Sequence, residues 1–384
     1  MIARNGQMVA ALAVTQTAGY GVLYYAFSVF LQPMRVELRA SITQVAGALT
    51  LAVLVSGLVA PLVGRMLDAR GGRALMTVGS LLGALALLAW SRVGSLVQLY
   101  LVLAAVGLSS AMVLYEAAFA VVVAWYDTAR RARALLAVTI VAGFASSVFM
   151  PLTGLLVDRY GWRSALVVLG LGYGLVAVPL HWLTLRDRTS VAPEPGYVRG
   201  ALRERPFWLL AAAFLSQTGA VAVIGVLLVT YLIVLGHSAL FAATVAGLLG
   251  VLSVTGRLVT TGLQARWPTA LVAAAVFALQ GVAAALLPLV GHTVAGAIGA
   301  VTLFGLGFGV GTLARPALLA DRYDTAVYAT LSGALALPIT VSKAVAPLVA
   351  AAGAQVFGYP AVMAGVCAAC LAGATCLVGY ERVA

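Results

Sequence analysis

Charge is scarce in this chain. Only 9% of its 384 residues are Asp, Glu, Lys or Arg, against about a quarter in soluble domains, and just one of them, Lys343, is a lysine. That scarcity excludes an ordinary water-facing surface. Cysteine is nearly as rare: Cys367, Cys370 and Cys376 all fall in one apolar stretch with no histidine or carboxylate nearby. Cys367 and Cys370 have the spacing of a redox or metal pair, but this setting points to small packing residues instead. The three histidines, His181, His237 and His292, lie near the ends of apolar stretches, where a solvated or interfacial place is expected. Two glycine-rich runs, Gly170-Gly172-Gly174 and Gly305-Gly307-Gly309-Gly311, have no strand before them and so lack the setting of a phosphate cradle. They are expected inside helices that pack closely or bend, and Pro316, Pro338 and Pro347 are read as kink sites. With no nucleotide loop, metal cluster or nucleophile–base pair, the sequence points away from an enzyme and implies no cofactor. No cleavable leader is recognised either, because the first apolar run is too long for one.

What is abundant is apolar surface: 63% of the residues and a mean hydropathy of +1.08. About 20 apolar residues cross a bilayer, and twelve such stretches are present, near 8–32, 42–64, 74–91, 96–125, 134–157, 164–185, 207–235, 239–263, 269–290, 293–318, 326–353 and 359–380. Lipid offers no partner for backbone groups, so each must be a helix. The predicted class is an all-α membrane protein.

The net charge of +12 invites a nucleic-acid reading, which its distribution excludes. With the N-terminus inside, 16 arginines fall in cytoplasmic segments and 5 on the opposite side. That asymmetry sets topology: both termini are expected on the cytoplasmic face of an inner membrane, in contact with lipid.

The longest polar stretch contains Pro193, Glu194, Pro195 and Gly196 and divides the spans six and six. The expected organisation is a bundle over 1–185, a cytoplasmic linker over 186–206 and a second bundle over 207–384, as in transporters built from two repeats. Between spans two and three the sequence carries Gly64, Asp68, Gly71 and Arg73 in a Gly-x-x-x-Asp-x-x-Gly-x-Arg pattern. Glycine permits a tight turn, and Asp68 is suited to accept hydrogen bonds from an arginine or a helix N-terminus. This loop resembles the signature of the major facilitator superfamily, with all four positions matched. The resemblance implies two six-helix bundles rocking about a central cavity, with these four residues as a cytoplasmic gate. The equivalent loop of the second half, near Gly262 and Arg266, lacks the aspartate. Trp125-Tyr126-Asp127 and Gly161-Trp162-Arg163 are further punctuation common in that superfamily.

Three ionisable residues remain inside spans: Glu116 in span four, Arg257 in span eight and Lys343 in span eleven. A charge at the bilayer centre costs roughly 2.5–3.5 kcal/mol on insertion scales and marks function by default. Aligning the halves by Gly64 and Gly262 puts Arg257 opposite Val59, well inside its span. The Arg257–Lys343 pair resembles the oxalate:formate antiporter and monocarboxylate transporter branch, in which cations on these spans hold carboxylates. Four residues before the arginine, where animal monocarboxylate transporters carry aspartate, this chain has Ser253. A guanidinium fork and a point-charge ammonium both suit carboxylates.

Gln16, Tyr20 and Tyr24 recur every four residues and so share one helix face; with Tyr115 beside Glu116, and Thr340 one turn from Lys343, they are the candidate substrate contacts. Glu116 is either a structural partner or a group that couples transport to protons. The function expected is secondary transport of small mono- or dicarboxylates by a monomer, through anion exchange or proton coupling. A proton-driven exporter of amphipathic drugs using Glu116 is the alternative.

Overall fold

Helix starts follow the side chains able to cap them. Ser41 opens a helix by accepting from the Gln44 amide while the Gln44 side chain accepts from the Ser41 amide at 2.9 Å, a reciprocal arrangement that satisfies two orphan donors. Ser95, Asp127, Ser238 and Thr293 cap others one way only, each side chain accepting from the amide three residues on. The computed structural model describes residues 2–186 and 196–383, and all regular elements among them are helical. Linker residues 187–195, with Pro193, Glu194 and Pro195, lie outside the described residues.

In order, the helices are α1 (Ile2–Tyr20), α2 (Ala26–Glu37), α3 (Ile42–Arg70), α4 (Gly72–Trp90), α5 (Leu96–Val113), α6 (Tyr115–Trp125), α7 (Thr128–Gly143), α8 (Ala145–Thr184), α9 (Tyr197–Ala201), α10 (Arg205–Val234), α11 (Ala239–Gln264), α12 (Thr269–Val290), α13 (Val294–Gly307), α14 (Gly311–Arg322), α15 (Tyr328–Phe357) and α16 (Tyr359–Val383). Among the described residues, ten helical stretches are long and apolar enough to cross a membrane. One of them, Arg130–Thr184, carries expected spans five and six, joined at Gly161, whose φ of 76° marks the bend. The first expected span is met by α1 and α2, joined through a π turn over Gly21–Tyr25. The chain is thus a multi-pass helical membrane protein with the twelve-span fold.

The chain divides into two compact units. The first groups Met1–Pro195 with Tyr323–Leu337; the second groups Gly196–Arg322 with Pro338–Ala384. The first unit has a core around Phe27, Phe30, Trp90, Leu99, Leu166 and Tyr173. The second has its own around Ile224, Tyr231, Phe304, Met363 and Cys370. The start of α15 joins the first unit through a close crossing with α3: a Cβ at Gly64 would run into the Ala329 carbonyl, and one at Gly333 into the Ala60 carbonyl.

Two spans depart from the expected continuous helix. Span four breaks at Leu114, whose ψ of −166° is extended and separates α5 from α6. Span ten breaks over 308–310, between α13 and α14. The second break corrects the reading of the Gly305–Gly311 run as the interior of one helix. Gly305 does pack closely, against Leu252, but Gly309 sits in a turn.

Candidate functional site

In the second unit, α11 carries Arg257 to the break in span ten. Arg257 is buried, with 8% of its surface exposed, and its Nε donates to the Gly309 carbonyl at 3.3 Å. Thr312 donates to the same carbonyl at 2.6 Å. Ser253, one turn before Arg257, is also buried and lines the same glycine. Gly309 must be small, because a Cβ there would meet both Ser253 and Arg257. Two residues not singled out in the sequence complete the surroundings. Gln217 of α10 lies against Gly311, the first residue of α14, and its Nε2 donates to Gln280 Oε1 at 3.3 Å. Gln280 in turn donates to the Phe304 carbonyl at 3.2 Å. A broken helix in a membrane leaves backbone groups that must find such partners. The break thus gathers a guanidinium, two amides and the N-terminal end of α14, whose dipole favours an anion.

Lys343 belongs to the same unit but to a different environment: it is exposed on α15. At about 100° per residue, the exposed Val341, Val345, Leu348 and Val349 project from the opposite side of the helix. The apolar face suits lipid and the ammonium faces away from it. Thr340, half-buried, lies within about 60° of Lys343 on that side. The adjacent Ser342 donates to the Leu215 carbonyl at 2.9 Å, which fixes this turn of α15 on α10.

In the first unit, the residues expected to line a pocket meet at the break in span four. Gln16, fully buried, donates from Nε2 to the Val113 carbonyl at 2.6 Å. Tyr20 packs on Tyr115 with ring centroids 4.5 Å apart, and Tyr115 stacks on Phe119 at 4.9 Å. Glu116, in the first turn of α6, accepts from Ser332 Oγ at 2.7 Å. Tyr24 follows a different course. The π turn adds a residue to the helical repeat, and it is Tyr25 that lies 6.5 Å from Tyr20, with Tyr24 edge-on to Tyr25 at 5.3 Å. The turn is held by contact: a Cβ at Gly21 would run into the Phe149 ring.

Asp68 accepts from the amides of Ala329 at 3.0 Å and Thr330 at 2.7 Å, the first turn of α15. Gly71 has a φ of 78° and both ends α3 and starts α4, a conformation that favours glycine. Arg73 donates from Nε to the Trp182 carbonyl at 2.8 Å and lies 4.1 Å over the Trp182 ring.

The solvated place expected for the histidines fails for His181. It is fully buried in the first unit, with Nδ1 2.8 Å from Ser80 Oγ and Nε2 3.0 Å from Thr15 Oγ1. Hydroxyls on α1 and α4 supply the partners that water was expected to supply. His237 is only partly buried, against the Gly291 carbonyl at 2.7 Å, and His292 is exposed.

Against known proteins, residues 13–338 match the Major Facilitator Superfamily. A curated relative, "Uncharacterized 38 kDa protein in 23S RNA operon" of Thermoproteus tenax, is 32% identical over 203 residues, 52% of this chain. That match spans about half, 51%, of the relative's own length. Among solved structures, a bacterial homologue of the iron transporter ferroportin in its outward-facing state superposes with a TM-score of 0.79 at 17% identity, covering 98% of this chain and 99% of that one. The human organic anion transporter MFSD10 gives 0.70 at 14%, covering 97% of each chain. The E. coli fucose:proton symporter FucP gives 0.74 at 14%, covering 97% and 98%. At such identities the likeness is one of fold.

Proposed function

This chain belongs to the Major Facilitator Superfamily of membrane transporters, and from that premise we propose that it carries small organic anions, mono- or dicarboxylates, across an inner membrane by alternating access. The observation that carries this reading is the placement of Lys343. The only ammonium side chain of the protein is exposed on α15 and faces away from the apolar side of that helix. A cation there, with the buried Arg257 guanidinium in the same unit, suits a carboxylate and repels lipophilic cations. An empty transporter of this kind holds two cations without a counter-charge from substrate, which favours exchange over uniport. Cytoplasmic termini follow from the arginine distribution, and the Asp68 loop serves as the cytoplasmic gate.

The test is a thermal-shift screen of purified protein against small carboxylates, phosphate, amino acids and lipophilic cations. A ligand that binds only the folded state stabilises it by about 2.7 kcal/mol at one hundred times its dissociation constant. Stabilisation by carboxylates that is lost in Lys343→Ala supports the reading. Stabilisation by lipophilic cations alone overturns it in favour of a drug exporter. Counterflow in liposomes then separates exchange, in which internal substrate accelerates uptake, from proton coupling, in which a pH gradient does.

A further inference from the structure

The break in span four lies beside a buried oxygen acceptor that has no donor. α5 stops at Val113 and Leu114 turns extended, so the carbonyls of the last turn of α5 lose their continuation in α6. One of them, that of Val113, takes the N–H of Gln16 at 2.6 Å. That bond orients the amide and leaves Gln16 Oε1 fully buried with no hydrogen-bond partner. A buried carbonyl oxygen without a donor or cation is costly. The buried glutamines Gln217 and Gln280 pair with each other, whereas Gln16 Oε1 is an unfilled acceptor. Around the same break lie the carboxylate of Glu116, two residues on, and the Tyr20 hydroxyl, which is directed at the Tyr115 main chain within electrostatic reach of Glu116.

Every group in this set is an oxygen. Neutral carbonyl and amide oxygens with a carboxylate form the donor set of a hard cation rather than of a transition metal. The C-terminal end of α5 adds the negative pole of its dipole, and interrupted helices in transporters present such ends to coupling ions. Charge decides between monovalent and divalent. Among the described residues at this break the single formal negative charge is Glu116. It neutralises one positive charge, whereas a divalent ion would leave an uncompensated charge at membrane depth. We propose that Gln16 Oε1, the carbonyl end of α5 and Glu116 form a binding site for a monovalent cation, sodium by its hardness. Gln16 is then a cation ligand, and Glu116 supplies charge to the site. The inference rests on the first unit alone and does not depend on the anion reading of Arg257 and Lys343.

The test uses the purified full-length protein without organic substrate, unfolded thermally in sodium, potassium or choline chloride at equal ionic strength. The expected result is a saturable rise in Tm with sodium that choline does not reproduce. Gln16→Leu and Glu116→Gln should each shift the sodium midpoint upward by at least about tenfold. A wild type indifferent to sodium, as it would be if a water fills the break, overturns the proposal. So does an unchanged sodium midpoint in both variants. Gln16→Leu also removes the bond to Val113 and so risks misfolding. In that event, equilibrium binding of radiolabelled sodium to the wild type and Glu116→Gln decides. Saturable binding weakened by the substitution supports the site; absent or identical binding overturns it. A failure of the carboxylate screen would leave this outcome untouched.

Discussion

Asp68 and Thr330, 262 positions apart in sequence, are joined by a 2.7 Å hydrogen bond in which the α3 carboxylate accepts from an amide in the first turn of α15. With the Ala329 amide on its other oxygen, Asp68 performs for α15 what an N-cap residue does for its own helix, from a neighbouring element. The first-turn amides of α15 are orphan donors near the positive end of the dipole, so a carboxylate is well matched to them.

Loss of this cap is expected to cost about 0.5–2 kcal/mol. Thermal unfolding of purified variants should rank wild type above Asp68→Asn, which keeps one acceptor oxygen without the charge, and Asp68→Asn above Asp68→Ala. Equal midpoints for all three would show that the contact carries no net stability.

The crossing of α3 and α15 leaves no room for side chains. Gly64→Ala is expected to lower Tm, because the new methyl group meets the Ala329 carbonyl, and Gly333→Ala likewise against Ala60. Gly262, which sequence alignment makes the counterpart of Gly64, has nothing within 4 Å of the place a methyl group would take. Gly262→Ala should therefore be neutral or slightly stabilising through helix propensity. A Gly262→Ala loss as large as that of Gly64→Ala would contradict the crossing.

Glu37 reports on pH. Arg163 donates to its Oε1 at 2.7 Å and Trp162 to its Oε2 at 2.6 Å. These bonds, Arg163's first and then Trp162's, hold the carboxyl below its ordinary value of 4.5. A carboxyl lowered in the folded state stabilises it above the unfolded value, and that contribution is lost as pH falls through the folded value. The pair is half exposed, so screening limits the effect to about 1 kcal/mol or less. The Tm gap between wild type and Glu37→Gln should be largest near neutral pH and close below pH 4.5. A gap that stays constant across that range would refute the assignment.

Arg257→Ala and Lys343→Ala are expected to insert and fold yet lose carboxylate-induced stabilisation and uptake. Arg257→Lys should not restore function, because a guanidinium fork and a point charge are not interchangeable against a carboxylate. Native affinity in either alanine variant, measured by thermal shift, would overturn the assignment of that residue.

Much of this molecule was legible in its residues. Twelve apolar stretches predicted the helical spans, and the Gly64–Arg73 pattern marked a loop whose aspartate does meet a helix terminus. Less legible were the interruptions. Leu114 is an ordinary helix-forming residue, and nothing local announces that it turns extended. The glycines around 305–311 were visible, but a glycine run looks the same whether it packs a continuous helix or ends one. Gln16 was marked by its four-residue spacing from Tyr20 and Tyr24, a pattern Gln217 and Gln280 do not have, although as polar side chains in apolar runs both were visible in the sequence. His181 was misplaced because nearness to a span end does not distinguish the membrane interface from a core supplied with hydroxyls.

The sequence by itself determined what each segment tolerates: which stretches can sit in lipid, how unevenly the arginines are shared between alternate loops, and where a charge is too costly to be incidental. Those are sums over local residues, because transfer from water to hydrocarbon is nearly additive along a helix. Only the tertiary structure decided which amides Asp68 caps, why the π turn brings Tyr25 to Tyr20, and where Gln16 Oε1 is left without a partner. Each of those depends on groups brought together from distant parts of the chain, where hydrogen-bond geometry and close contact set the energy.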